Sequence, residues 1–148
     1  MSSATKPTLE TTHLVRDTCL CLHVQRAARA LARRFDEALR PLSLTNGQFS
    51  LLMSLNRSKP PGMTAVALLL AMDRTTLTAA LKPLLRRGLV KVAPDSEDRR
   101  GRLMTLTAKG RRALMRAVPV WKKTHADVEA LLGAGDPDRL RSNLRALC

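Results

Sequence analysis

The sequence predicts a mainly α-helical fold carrying one small β-hairpin, and three observations lead there. Apolar residues recur at spacings of three and four through both ends of the chain, the pattern of helices with one buried face. Two short segments, Leu89-Val-Lys-Val-Ala93 and Arg102-Leu-Met-Thr-Leu-Thr107, instead alternate like strands on either side of a polar, turn-rich stretch. With 148 residues, 45% of them hydrophobic, the chain can build one sizeable core but not two. Residues 1–11 are expected to form a flexible arm and residues 12–148 a single domain.

Taken in order, one long helix is expected from Thr12 to Leu39, with Leu20, Val24, Ala27, Leu31 and Phe35 on its apolar stripe and Pro41 ending it. Thr45 is placed to cap a second helix, and Gln48 three positions later completes a capping box. After the breaker Ser58-Lys-Pro-Pro-Gly62, a short helix follows with Thr64 as its candidate cap. Asp73 caps the next helix, Arg74 to Arg87, which Gly88 stops. Two short helices joined by a tight connection, the second rich in Thr and basic residues, match a helix-turn-helix. The two strands and the charged segment Pro94–Gly101 then form a hairpin. A long helix runs from Thr107 towards Leu132, with a kink expected at Pro119, and a short one carries Leu140, Leu144 and Leu147. The apolar stripes at both ends exceed what a small central module can cover. A homodimer that interlocks 12–40 and 108–148 around a DNA-binding lobe at 45–107 would bury them.

Charge narrows the function. There are 26 Lys and Arg against 12 Asp and Glu, a formal net charge of +14, which calls for a polyanionic partner. Between Arg57 and Arg112 stand 13 of the basic residues and only 4 acidic ones, so the binding face belongs there. Readers of single strands and RNA stack bases on aromatic rings, and this chain has two Phe, one Trp and no Tyr. Double-stranded DNA, gripped through phosphates and groove edges, suits it better. No stretch is long and apolar enough for a membrane span and the first residues lack a secretory core, so a cytoplasmic protein with no membrane partner is expected. Three cysteines do not make a disulfide framework, and no spacing suggests a metal site or a cofactor. An enzyme is not expected, because no phosphate-binding Gly-rich loop, no G-x-S-x-G elbow and no nucleophile with a credible base and third group is present.

The segments MDRTTLTAALKPLLRRGLV (72–90), DSEDRRGRLMTLTAKG (95–110) and LTNGQFSLL (44–52), in this order and spacing, resemble the MarR family of winged helix-turn-helix transcription regulators. The resemblance covers about residues 12–147. It implies an obligate homodimer on a near-palindromic operator, with each recognition helix in a major groove and each wing in an adjacent minor groove. Repression is the family's usual mode. Arg100 matches the family's minor-groove arginine and Asp98 the acid that orients it. From the residues themselves, Arg74, Thr75, Thr76 and Thr78 stand at the start of the recognition helix, where they can reach base edges or phosphates. Lys82 is two turns along and better placed for the backbone, and Arg99 and Arg102 are expected phosphate contacts. The chain departs from many family members at Ala79, where a polar or basic residue is common. Pro83 removes one helix hydrogen bond and is expected to bend the C-terminal half of this helix.

The signal is sought in Arg16-Asp-Thr-Cys-Leu-Cys-Leu-His-Val-Gln-Arg26. On a continuous helix Cys19 and His23 share a face while Cys21 points about 200° away from Cys19, which excludes a common metal ion and a Cys19–Cys21 disulfide. Family members that sense aromatic carboxylates bind them between this helix and the DNA-binding lobe, so the resemblance implies a small anionic aromatic effector such as an aromatic carboxylate. Arg16 and His23, seven apart and projecting from similar sides, are with Arg26 the candidate residues for it. The resemblance aligns Cys21 with the reactive cysteine of the family's hydroperoxide sensors, the alternative reading. Those sensors pair the thiol with tyrosines, where this chain has Gln25 and Phe35, so a buried, inert cysteine is the first expectation. A reading of another class is a non-specific cationic nucleic-acid binder.

Overall fold

The computed structural model describes residues 6–148; residues 1–5, which fall in the expected arm, lie outside the described residues. The elements are α1 (Leu9–Thr18), α2 (Leu20–Leu39), a 3-10 turn (Arg40–Leu42), α3 (Asn46–Ser54), α4 (Met63–Leu70), α5 (Arg74–Arg86), β1 (Val90–Pro94), β2 (Arg102–Leu106), α6 (Ala108–Ala130) and α7 (Pro137–Arg145). They form two compact units, one ending at Arg34 and the other running from Phe35 to Cys148.

In the first unit, Thr8 caps α1 by accepting the Thr11 N–H at 3.2 Å, so helix already includes Leu9–Thr11, residues that composition assigned to the arm. The expected single helix from Thr12 to Leu39 is two helices. The break is one residue wide: Cys19 has extended backbone angles, φ −70° and ψ 108°. Its N–H closes α1 on the Val15 carbonyl at 3.0 Å, its sulfur accepts the Leu22 N–H at 3.4 Å, and its carbonyl accepts the His23 N–H at 3.1 Å. Cys19 therefore ends one helix and opens the next. No Pro or Gly marks the position, and the apolar spacing continues across it, which is why periodicity reads it as one helix.

In the second unit the core is built from one face of each element. Leu39, Leu51, Leu52, Val66, Leu77, Leu84, Leu89 and Met104 are the largest fully buried side chains. The Thr45–Gln48 capping box is present in both directions, with the Thr45 hydroxyl accepting the Gln48 N–H and the Gln48 side chain accepting the Thr45 N–H, each at 3.1 Å. Gly62, not Thr64, is the N-cap of α4. The reason lies in its surroundings: the Pro61 carbonyl accepts the Met104 N–H at 3.0 Å and Gly62 bridges to Leu103, so α4 starts where its approach is tied to the hairpin.

The axes of α4 and α5 are bent by 102° about a break in which Ala71 takes a left-handed conformation, φ 52°. Helix α5 runs unbroken through Pro83, and α6 through Pro119. Gly88, with φ 68°, ends the turn that follows α5. The chain then enters the antiparallel hairpin, where Val90 pairs with Leu106 and Pro94 with Arg102. At its far end, Thr107 caps α6 by accepting the Gly110 N–H at 2.9 Å and donates its hydroxyl to the Gly88 carbonyl at 2.6 Å. A Cβ at Gly110 would lie 2.0 Å from the Leu89 carbonyl oxygen. Thr107 and Gly110 thus seat α6 directly against the junction of α5 and the hairpin.

Candidate nucleic-acid interface

Helix α5 is stapled at its start by Asp73, whose carboxylate accepts the Thr76 N–H at 2.7 Å and the Thr76 hydroxyl at 3.0 Å. Those two bonds hold the Asp73 carboxyl below the usual carboxylate range. They also commit the Thr76 hydroxyl to the cap. Arg74, Thr75, Thr78, Ala79 and Lys82 line a shallow open groove of about 310 Å³ along the helix. The structure therefore brings together four of the five recognition-helix residues chosen from sequence and sets Thr76 apart. Leu77, Leu81 and Leu84 occupy the opposite, buried face.

At the wing, Arg99, Arg100 and Arg102 are all exposed. Asp98, expected to orient the Arg100 guanidinium, is seen bonding the backbone: its carboxylate accepts the Arg100 N–H at 3.0 Å, and its carbonyl accepts the Gly101 N–H at 2.9 Å. It shapes the backbone of the tip. Gly101 permits this fold, since a Cβ there would come within 3.1 Å of Asp95 Cβ and 3.3 Å of the Asp98 carbonyl oxygen. Arg74, Arg100 and Arg102 share a cleft of about 250 Å³ with Asp95, Asp98 and the start of α4. Arg74 lines both, so the groove of the recognition helix and the arginine-bearing cleft at the wing adjoin.

Two short helices at a steep angle, followed by a hairpin with an arginine tip, form a winged helix-turn-helix. The model of the MarR family matches residues 44–101. The chain is 42% identical to the Mycobacterium tuberculosis transcriptional regulator MosR, solved in complex with DNA, over 88% of this chain and 93% of that one, with a TM-score of 0.80. The chain belongs to the MarR family.

This MarR-family protein is a DNA-binding transcription regulator. It is also 31% identical to the transcriptional repressor CouR bound to a 23-mer DNA duplex, with a TM-score of 0.78 over 90% of this chain and 94% of that one. The Bordetella bronchiseptica regulator BpsR, whose DNA binding is regulated by 6-hydroxynicotinic acid, is 25% identical, with a TM-score of 0.70 over 88% and 96% of the two chains.

The residues sought for the signal are not gathered as expected. The break at Cys19 stands between Arg16 and His23, so the two-turn spacing that aligned them does not apply. Arg16 is bonded to its neighbour Asp17 through both Nε, at 2.6 Å, and Nη2, at 2.9 Å. His23 and Arg26 do lie together, in an open groove on α2 with Arg29 and Arg33. The expectation of buried cysteines is also corrected: Cys21 is exposed and Cys19 half-buried. Cys21 Sγ accepts a hydrogen bond from Gln25 Nε2 at 3.1 Å, and Gln25 Oε1 accepts one from Arg29 at 3.1 Å.

One feature escaped the sequence reading. Phe49, Met53, Leu69, Val118 and Trp121 line an apolar cleft of about 500 Å³ between α3, α4 and α6, with Ser50 and Lys122 among its polar members. Trp121 stacks on Phe49 at 6.1 Å between ring centroids and on His125 at 4.7 Å. The available signal was the rarity of aromatics: two of the three in the chain are here. Among the described residues no group of three or more His, Cys, Asp or Glu is placed to hold a metal, and no single helix is long and apolar enough to cross a membrane.

Proposed function

We propose that this regulator is a homodimeric repressor that binds a near-palindromic duplex operator and is released from it by a small anionic aromatic ligand. The observation that carries the DNA half is the adjoining of the groove from Arg74 through Lys82 on α5 and the cleft with Arg100 and Arg102 on the wing. Dimerisation is supported by apolar side chains left open on the terminal helices: Leu9 is 71% exposed, Leu20 69% and Leu140 42%. For the ligand, the cleft walled by Phe49 and Trp121 is apolar enough for a ring, and Lys122 at its lining is a partner for a carboxylate. His23 and Arg26 offer a second, basic groove for an anion. BpsR's response to a hydroxylated aromatic acid favours this ligand class.

The test is a thermal-shift screen of aromatic acids, with 6-hydroxynicotinic acid included, followed by release of a fluorescent promoter duplex by each hit. Trp121, the single Trp, reports occupancy of the cleft directly. A hit that quenches Trp121 and fails to bind Phe49→Ala locates the site there; a hit lost only in Arg26→Ala locates it on α2. If no aromatic acid shifts melting or releases DNA, the ligand reading is withdrawn.

The exposure of Cys21 and the interrupted helix beside it favour a second reading, thiol sensing, because the rotational constraint that kept Cys19 and Cys21 apart applies only to a continuous helix. In it the Cys21 thiolate attacks a hydroperoxide oxygen, the sulfur is oxidised to a sulfenic acid and the peroxide leaves as its alcohol. Peroxide that releases DNA from the wild type but not from Cys21→Ser would establish it. A merely cationic binder would instead hold promoter and random DNA alike at physiological salt.

A further inference from the structure

The middle of the recognition face is chemically unusual. Thr75, Thr78 and Ala79 stand at i, i+3 and i+4, so they lie on one face of α5, and all three are exposed. Between Arg74 at one end of the groove and Lys82 at the other there is no amide, carboxylate or guanidinium. The hydroxyls are further restricted. Thr78 Oγ1 donates its proton to the Arg74 carbonyl at 2.8 Å, and the Thr76 hydroxyl donates to Asp73. The Thr75 hydroxyl, beside Arg74, is in no such bond among the described residues, but past that first turn what the helix offers a base edge is mainly the methyl carbon of Thr78 and Ala79.

In the major groove, adenine, guanine and cytosine are marked by hydrogen-bonding groups and carry no methyl, whereas thymine adds a C5-methyl. Laying methyl side chains against a hydrogen-bonding edge strips water from polar groups without replacing their bonds, which is unfavourable. Laying them against a thymine methyl removes apolar surface from water on both sides. We propose that this regulator reads thymine through the methyl groups of Thr78 and Ala79, with Arg74 supplying the hydrogen-bonded contact at one end of the face and Lys82 a phosphate contact at the other. This rests on the DNA-binding reading of α5 and adds the base class that its centre selects.

The test uses duplexes that the full-length protein enriches from a randomised pool. Each thymine in an enriched half-site is replaced singly by deoxyuridine, which removes only the C5-methyl, and affinities are compared by competition at fixed salt. At one or two thymines per half-site the wild type should lose roughly fourfold, the effect of one buried methyl-sized group. Thr78→Ser keeps the hydroxyl and drops the methyl; at one of those positions it should bind the thymine and deoxyuridine duplexes equally. The proposal is overturned if deoxyuridine changes nothing at any position, if the enriched half-sites carry no thymine under the helix, or if Thr78→Ser keeps every penalty of the wild type. A pool from which no sequence is enriched overturns the sequence-specific function itself, an outcome separate from enrichment without a thymine requirement.

Discussion

Asp36 and Asn46 sit ten positions apart, on the last turns of α2 and the first residue of α3, and the Asp36 carboxylate accepts both the backbone N–H of Asn46 at 2.7 Å and its side-chain amide at 2.8 Å. The backbone bond first, then the side-chain bond, hold this carboxyl below its ordinary range, and the smaller effect of desolvation opposes them. A carboxyl whose folded pKa is depressed contributes stability above its unfolded pKa and loses it as the pH falls through the folded value. Stability should therefore decline on acidification below about pH 4, and Asp36→Asn should lie below the wild type at neutral pH yet converge with it in acid; parallel denaturant titrations at both pH values check this. At the wing, Arg100→Ala should weaken operator binding by about tenfold or more, the scale of one well-placed guanidinium contact, with an unchanged melting temperature because the side chain is exposed. Unaltered affinity in a binding titration would remove the wing from the mechanism.

Local elements were readable where a side chain itself makes the signal. Thr45, with Gln48, and Asp73 are caps because their oxygens and the helix N–H groups meet at fixed spacing, and both hold. The break at Cys19 was not readable, because no Pro or Gly marks it and the apolar spacing continues across it; the start of α4 at Gly62 was not, because it is set by bonds to the hairpin some forty residues further on. The turn between α4 and α5 places Ala71 at φ 52°, a conformation that costs a residue with a Cβ about 1 kcal/mol. Ala71→Gly should relieve part of that and raise stability by up to about 0.5 kcal/mol after its own entropic penalty, measurable as a shifted denaturation midpoint. Gly110→Ala should do the opposite. Its methyl meets the Leu89 carbonyl at 2.0 Å, so α6 must move off the hairpin, at a cost of about 2–3 kcal/mol.

For the molecule as a whole, the predictions concern assembly and charge. Light scattering should give twice the chain mass, and removal of residues 137–148, where Leu140 and Leu144 on α7 and Leu147 after it are all exposed, should return a monomer. A dimer presents each phosphate-binding lysine twice, so Lys82→Ala should weaken every duplex uniformly and flatten the plot of log affinity against log salt by about 2. A slope unchanged by the substitution would place Lys82 off the phosphates.

The sequence by itself determined the helix-turn-helix, the hairpin and the concentration of positive charge on them, because periodicity, capping and charge are written in neighbouring positions. Only the tertiary structure decided how their residues are used. It committed the Thr76 hydroxyl to Asp73, turned Asp98 onto the main chain, split the first helix at Cys19, and assembled the Phe49–Trp121 cleft from three helices far apart in the chain. The cleft depends on side chains that folding brings together from distant parts of the chain, and spacing carries no record of that distance; the other three are choices among short-range bonds that the spacing permits but does not decide.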